Sequence, residues 1–117
     1  MKFFTLLTCK TCQRIDADLQ PAACGAEIRD IKASGVTAEE VDAMKARAGS
    51  YEALFSRRAM KFRSMGLADM DLGEADYRRL IIEEYTFLKR PVLLTDDAVF
   101  AGSAKASVEG ARAALKG

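Results

Sequence analysis

The sequence predicts an α/β fold whose elements run strand–helix–strand, then three helices, then strand–strand–helix. A short apolar run at residues 2–7 and an alternating segment at residues 26–31 are typical of strands. A strand–helix–strand unit of this length forms a parallel pair through a right-handed crossover. Two further apolar runs, at residues 91–94 and 99–101, predict a hairpin.

The first helix is expected over residues 11–18, with Ile15 and Leu19 facing inward. Pro21 ends it, because proline cannot continue a helix. A second helical region begins at Thr37, which forms a capping-box pattern with Glu40.

Two more helices are expected in the middle of the chain, over about residues 51–65 and 73–88. Gly66 ends the first of them and Pro91 the second, since glycine favours helix ends and the residue before proline avoids helical angles. Helical spacing assigns an inward stripe to the first of these helices, made of Tyr51, Leu54, Phe55, Phe62 and Met65.

The chain ends in an amphipathic helix over residues 107–116, with Val108, Ala111 and Leu115 inward. The two ends, about residues 1–34 and 89–117, are typical of a thioredoxin-like fold. The helices at about residues 37–88 form an insertion between them, and the whole of 1–117 is expected to be a single domain.

Composition excludes several function classes. The chain has 117 residues, 18 of them basic and 17 acidic, and this balance argues against non-specific nucleic-acid binding. No apolar run approaches the roughly 20 residues that a membrane helix needs. The first residues lack the long apolar region of a signal peptide, so we expect a cytoplasmic protein with no membrane partner.

The chain has three cysteines and no histidine. An odd number of cysteines argues against a framework of structural disulfides. The absence of histidine removes Ser-His-Asp and Cys-His catalysis and most zinc sites. We therefore expect no metal and no bound cofactor.

The most informative motif is Cys9-Lys10-Thr11-Cys12, at the point where the first strand gives way to a helix. The unpaired N–H groups and partial positive charge of a helix start favour a thiolate, which is the reactive form of cysteine. Cys9, in the loop, is the candidate nucleophile, and Lys10 adds positive charge beside it. Cys12 is close enough to resolve a mixed disulfide or sulfenate on Cys9.

Two other interpretations of the motif remain open. The cysteines could be part of a metal site, although only Cys24 and carboxylates could complete it. They could also be inert packing residues. For Cys24 a second resolving thiol is one interpretation, and a small, half-buried loop residue is the favoured one.

Arg58 falls near the middle of the inward stripe of the helix predicted at residues 51–65. A guanidinium on an apolar face is costly unless it is paired or lies where an anion binds. We favour an oxyanion or thiolate partner over a buried salt bridge or an arginine whose head reaches water past the helix end.

Arg90 precedes Pro91 at the junction between the third helix and the hairpin. In thioredoxin-like folds the proline at this place is usually cis and packs beside the reactive cysteine, which would bring Arg90 near Cys9. The alternative is an ordinary cation at a helix C-terminus followed by a trans proline.

Taken in order, several segments resemble the arsenate reductase/Spx family. They are the apolar strand running into Cys9–Cys12, the stretch Glu-Ala-Leu-Phe-Ser-Arg-Arg at 52–58, Phe62 through Leu67, and Phe87 through Val92. The resemblance implies a thioredoxin-like fold with a helical insertion. In the arsenate reductases of this family the first cysteine attacks arsenate, arginines hold the oxyanion, and glutathione with glutaredoxin regenerates the thiol. Carried over here, Cys9 is the nucleophile and Arg90 an oxyanion ligand.

The sequence also departs from those reductases. Their middle arginine would align nearer Ser56 than Arg58, and where they place a third arginine this chain offers only Lys105. They usually lack a second cysteine at the position of Cys12, whereas Spx regulators use a Cys-x-x-Cys switch and bind the RNA polymerase alpha subunit. The resemblance thus implies either a thiol oxidoreductase, served by glutathione and a glutaredoxin or thioredoxin system, or a redox-sensing regulator. A scaffold with an idle dithiol is a third interpretation.

Overall fold

The computed structural model describes residues 1–116, and the predicted α/β fold is confirmed. Four strands form one mixed sheet in the order β2-β1-β3-β4. They are β1 (Lys2–Thr5), β2 (Glu27–Asp30), β3 (Val92–Leu94) and β4 (Val99–Ala101). β1 pairs in parallel with β2 and antiparallel with β3, and β3 and β4 form the predicted antiparallel hairpin.

Six α-helices and three short 3₁₀ turns complete the described chain. The helices are α1 (Lys10–Leu19), α2 (Ile31–Ser34), α3 (Ala38–Ala48), α4 (Met60–Ser64), α5 (Glu74–Glu83) and α6 (Lys105–Lys116). The 3₁₀ turns are Glu52–Leu54, Leu67–Asp69 and Tyr85–Phe87. These elements divide into a sheet unit, made of Met1–Ser34 and the chain from Arg90 onward, and a helical unit, Gly35–Lys89.

The core of the sheet unit lies between the sheet and the pair α1 and α6. Phe3 of β1 stands opposite Leu93 of β3 in the ladder, and both are almost completely buried. Ile15 and Leu19 of α1 and Ala111 of α6 belong to the same cluster. Successive strand residues point to opposite faces, and Phe4 and Val92 are buried as well, so both faces of the central strands are covered.

The start of α3 confirms the capping box. The Glu40 N–H donates to Thr37 Oγ1 over 3.1 Å, and the Thr37 N–H donates to Glu40 Oε1 over 3.0 Å. Two of the backbone donors that a helix start leaves unpaired are thereby satisfied.

The prediction of one continuous helix over residues 51–65 is wrong. Its first part is the 3₁₀ turn Glu52–Leu54, and Phe55 is extended and forms an isolated antiparallel bridge with Leu88. Backbone groups that a helix would use are paired across this bridge instead, since the Ser56 N–H donates to the Phe87 carbonyl over 2.7 Å. The Phe55 ring also packs against three other rings, those of Phe62, Tyr77 and Phe87. Non-local pairing and packing therefore override the helical spacing, and α4 begins only at Met60.

Other element bounds are shorter than predicted. The first strand ends at Thr5, because the Leu6 carbonyl accepts the Cys9 N–H at 3.0 Å in a turn. The second strand gives way to the unpredicted α2 at Ile31, and α5 ends at Glu83 rather than near residue 88. α1, in contrast, runs one residue beyond its predicted range at each end. Across residues 1–116 we find no helix with the length and apolar character that crossing a membrane would require.

Gly110 of α6 lies against Phe100 of β4, and Gly110→Ala is expected to lower the free energy of unfolding. A Cβ added there would stand 2.6 Å from two carbon atoms of the Phe100 ring. Accommodating it costs about 1–3 kcal/mol, and the better helix propensity of alanine returns about 1 kcal/mol. Urea unfolding should show a net loss. In a Phe100→Leu background the same substitution should cost nothing, and an equal loss in both backgrounds would contradict the clash.

Candidate active site

Cys9 lies between the end of β1 and the first turn of α1. Its backbone is extended (φ −89°, ψ 120°), and it occupies the residue immediately before the helix. Its carbonyl accepts the Gln13 N–H over 2.9 Å, which makes Cys9 the first acceptor of the helix ladder. The side chain is partly exposed. The predicted position of Cys9 at a strand-to-helix junction is therefore confirmed.

Several neighbours stabilise the ionised form of Cys9. Burial is the largest single influence and would raise the pKa of the thiol, but hydrogen-bond donors outweigh it and the net pKa is lowered. The donors are the Cys12 backbone N–H, the Arg90 guanidinium, the Cys12 thiol and the Thr11 N–H, in that order. The Cys9 side chain makes no helix-capping hydrogen bond. The nearby donors therefore stabilise the thiolate mainly through their partial or full positive charges, as is typical of a helix N-terminus.

Arg90 reaches the sulfur from the other end of the sheet unit's chain. The Arg90–Pro91 peptide bond is cis, as predicted, and the Pro91 carbonyl accepts the Gly102 N–H at 2.9 Å. The Nε atom of Arg90 is buried and has no hydrogen-bond partner among residues 1–116. A cationic donor that is buried and unsatisfied beside a thiolate is suited to an additional anionic acceptor.

Cys12 differs from Cys9 in its burial and in the direction of its pKa shift. It lies in the first turn of α1 and is completely buried. Burial raises the pKa of its thiol, and the negative charge of Cys9 raises it further, although the Leu6 backbone and the Thr5 side chain act in the opposite direction. The motif thus contains one accessible thiol that ionises readily and one buried thiol that holds its proton.

Thr5 and Asp16 complete the surroundings of Cys12, and sequence reasoning missed both. The Thr5 hydroxyl donates to Asp16 Oδ2 over 3.2 Å, and Thr5 is completely buried. Burial raises the pKa of the Asp16 carboxyl, against a smaller lowering by Thr5. The one available signal was spacing, because Asp16 follows Cys12 by four residues and so shares its face of the helix.

The two lysines predicted near the site are both exposed. Lys10 is the first residue of α1, and Lys105 is the first residue of α6. Lys105 lines a groove of about 270 Å³ between α1 and α6, together with Arg14, Asp18, Ser103, Glu109 and Arg112 among others. Neither Cys9 nor Arg90 lines this groove. The role of each lysine as an anion ligand stays a prediction.

The structural basis given for Arg58 is wrong. Because residues 51–65 do not form one helix, there is no apolar stripe with Arg58 at its centre, and its side chain is exposed in the turn before α4. Met65, another predicted stripe residue, is half exposed. The neighbouring Arg57 is the engaged cation, donating to Glu52 over 2.9 Å and to the Tyr77 hydroxyl over 2.8 Å. Arg58 as an anion ligand stays a prediction.

Cys24 lies in the loop between α1 and β2, as expected, but it is exposed rather than half-buried. Its N–H donates to the Pro21 carbonyl over 3.1 Å in a tight turn, which turns the side chain outward. Within residues 1–116, no three Cys, Asp or Glu side chains are grouped so that they could hold a metal ion.

Most of this chain matches the model of a known protein family. The model of the ArsC family matches residues 4–111, which include both cysteines, Arg90 and Pro91. This chain belongs to the ArsC family. No curated protein matches it in a direct search.

Solved structures share the ArsC fold over nearly the full length. The YFFB protein superimposes with a TM-score of 0.80 at 24% identity, covering 97% of this chain and 96% of its own. An ArsC-family-related protein from Bacteroides fragilis gives 0.80 at 22% identity, with 95% and 98% covered. An arsenate reductase from Vibrio cholerae gives 0.77 at 14% identity, with 93% and 94% covered. At these identities the likeness establishes the thioredoxin-like fold and leaves the substrate open.

Arg90→Ala is expected to raise the pKa of Cys9 and slow its alkylation at neutral pH by several-fold, because a cationic donor to the thiolate is lost. Iodoacetamide labelling across a pH series, in a Cys24→Ser background, reports the rate at Cys9. Arg14→Ala removes an exposed guanidinium from the same helix and should leave the rate–pH profile in place. An unchanged profile in Arg90→Ala would show that the guanidinium does not act on the sulfur.

Proposed function

We propose that this chain is a thiol oxidoreductase of the arsenate reductase type, with Cys9 as its nucleophile. The observation that carries the proposal is the pairing of a lowered Cys9 pKa with a buried, unsatisfied Arg90 nitrogen. Perturbed titration and an unpaired donor at one position are characteristic of functional sites. Membership of the ArsC family and the arsenate reductase fold of the Vibrio cholerae protein support the same reaction class.

In the first step the Cys9 thiolate attacks the substrate. For arsenate, sulfur replaces one oxygen on arsenic, and the leaving oxygen departs as hydroxide or water. Negative charge on the remaining oxygens is balanced by Arg90, whose forked guanidinium suits an anion with several oxygens. Lys10, Lys105 and Arg58, all three exposed cations, are secondary anion ligands in this proposal.

In the second step another thiol attacks the Cys9 sulfur. The electron pair of the sulfur–arsenic bond stays on arsenic, which is reduced to arsenite, while Cys9 enters a disulfide. Cys12 is the resolving thiol of this chain, because the two cysteines already influence each other's ionisation. Glutathione is the alternative resolving thiol, and a glutaredoxin or thioredoxin system would return the disulfide to thiols.

A redox-sensing regulator is the second candidate, and the Cys9–Cys12 pair is the observation that favours it. Closing a disulfide would remove the charge on Cys9 and draw on a buried sulfur, so the start of α1 would have to adjust. Such a change could alter binding to the RNA polymerase alpha subunit. A pull-down with that subunit, using reduced and oxidised protein, distinguishes this candidate, because only a regulator should show redox-dependent capture.

Cys9→Ser is expected to abolish turnover. The measurement is arsenate-dependent consumption of NADPH in the presence of glutathione, glutaredoxin and glutathione reductase. Cys24→Ser is the matched control, since Cys24 is exposed on a loop and should be dispensable. Activity that survives in Cys9→Ser would refute the nucleophile assignment, and wild-type protein without activity would remove arsenate as the substrate.

Arg58→Ala is expected to raise the KM for the oxyanion with little change in melting temperature. A hydrogen bond to a charged group contributes about 1.5–3 kcal/mol, so the KM should rise roughly ten-fold or more. Arg63→Ala, an exposed arginine of α4, serves as the control for general loss of positive charge. Equal effects of the two substitutions would argue against a specific role for Arg58.

A further inference from the structure

Asp16 is a partly buried titratable group for which the reaction above has no use. Its Oδ1 atom is buried without a hydrogen-bond partner in residues 1–116, and its Oδ2 atom accepts only the Thr5 hydroxyl. A buried carboxyl oxygen left unpaired is costly and calls for an explanation.

Thr5 connects this carboxyl to the dithiol. Cys12 and Asp16 are four residues apart on α1, so they lie one above the other on the same helix face. Thr5, the last residue of β1, faces them, because its hydroxyl donates to Asp16 and its side chain also acts on the Cys12 thiol. Thr5 and Cys12 are both completely buried. Thiol, hydroxyl and carboxyl therefore form a short chain closed to bulk water at its first two members.

The proposed function creates a demand for such a chain. Cys12 must lose its proton when it attacks Cys9, yet burial raises the pKa of its thiol and excludes solvent base. The raised pKa of Asp16 makes its carboxylate a stronger base than an exposed aspartate.

We propose that Asp16, acting through the Thr5 hydroxyl, accepts the proton of the Cys12 thiol as Cys12 attacks the Cys9 sulfur of the covalent intermediate. That intermediate is the arsenic adduct in turnover and a mixed disulfide in the test below. The inference rests on the proposed function, in which Cys12 is the resolving thiol. Asp16 is a positioning residue here, because it acts on the reacting sulfur through Thr5.

The step balances as follows. The Cys12 proton passes to the Thr5 oxygen while the Thr5 hydroxyl proton passes to Asp16 Oδ2, so Thr5 ends unchanged and Asp16 becomes neutral. The Cys12 electron pair forms the bond to Cys9 sulfur. The bond from Cys9 to arsenic, or to the outer sulfur of a mixed disulfide, breaks, and its electron pair stays on the departing atom. The departing group equilibrates with solvent protons, and Asp16 later returns its proton to solvent.

The charged groups nearest on the neighbouring elements have other partners. Asp30 of β2, opposite Thr5 in the ladder, accepts the Lys32 N–H over 3.2 Å. Arg29 of β2 lies over the Phe4 ring and pairs with Glu27. Arg112 of α6 is bidentate to Asp18 on the outer side of α1. The pKa of Asp16 is accordingly set by burial and by Thr5.

The test separates the two chemical steps in one experiment. In a Cys24→Ser background, one equivalent of dithiobis(nitrobenzoate), an aromatic disulfide, reacts with Cys9 and releases a first nitrothiobenzoate anion. Attack by Cys12 then releases a second, in a phase whose rate does not depend on reagent concentration. Asp16→Asn should slow the second phase by about 10²-fold, the lower end of what a positioned base contributes, and leave the first phase unchanged.

The pH profile and a conservative pair supply readouts that a merely structural role would not move. In Asp16→Asn the second phase should become steeply faster with rising pH, since hydroxide must replace the carboxylate. Thr5→Val should behave like Asp16→Asn, whereas Thr5→Ser keeps the hydroxyl and should retain most of the rate. Asp18→Asn removes an exposed carboxylate from the same helix and should leave both phases at the wild-type rate.

Stability gives an independent check with a defined sign. A carboxyl whose folded pKa is raised binds its proton more tightly in the native state, so folding loses stability as pH rises from the unfolded to the folded pKa. Asp16→Asn should remove this loss and unfold no more easily than wild type at neutral pH.

The failures are distinguishable. If wild type shows no second phase, or Cys12→Ser retains it, the resolving role of Cys12 in the proposed function fails. If Cys12→Ser lacks the second phase but Asp16→Asn keeps its wild-type rate, the proton relay alone is overturned. If Asp16→Asn slows both phases equally, the carboxyl only maintains the fold of the site, and the relay is likewise overturned.

Discussion

The proposed chemistry of this protein depends on the charge held at Cys9 by donors from two distant parts of the chain. The first turn of α1 supplies backbone N–H groups, and Arg90, some eighty residues later, supplies a guanidinium. Both act against the partial burial of the sulfur, which opposes ionisation and is the largest single influence on its pKa. The mixed sheet is what brings the two together, since β1 leads into Cys9 and the neighbouring strand β3 begins just after Arg90.

Burial also divides the labour between the two cysteines. Cys9, before the helix, is accessible and easily ionised, whereas Cys12, three residues on, is sealed and protonated. That difference follows from the position of each residue. Cys9 precedes the helix and lies in the loop, whereas Cys12 lies in the first helical turn, on the face that packs into the core. In the proposed mechanism Cys9 attacks first and Cys12 second, so the buried Cys12 thiol needs a group that can accept its proton.

Sequence patterns were reliable where local chemistry decided the structure. The capping box at Thr37 and Glu40, the strand-to-helix position of Cys9, and the hairpin of β3 and β4 each depend on residues close together in the chain. Patterns failed where backbone pairing was non-local. Residues 51–65 have helical spacing, yet Phe55 is extended. Its neighbours Leu54 and Ser56 form backbone hydrogen bonds with Lys89 and Phe87 across the bridge, and three aromatic rings pack against its side chain. The argument that placed Arg58 on an apolar face failed with that helix.

By itself, the sequence determined the α/β class, the candidate dithiol and the candidate cation beside Pro91, because these follow from periodicity, from helix-start electrostatics and from a recognisable order of motifs. Only the tertiary structure decided which cysteine is buried, which cation has an unsatisfied nitrogen, and that Thr5 and Asp16 meet beneath Cys12. The physical reason is that burial and hydrogen-bond pairing depend on groups far apart in the chain. A local sequence pattern does not show which of those groups the fold shields from water.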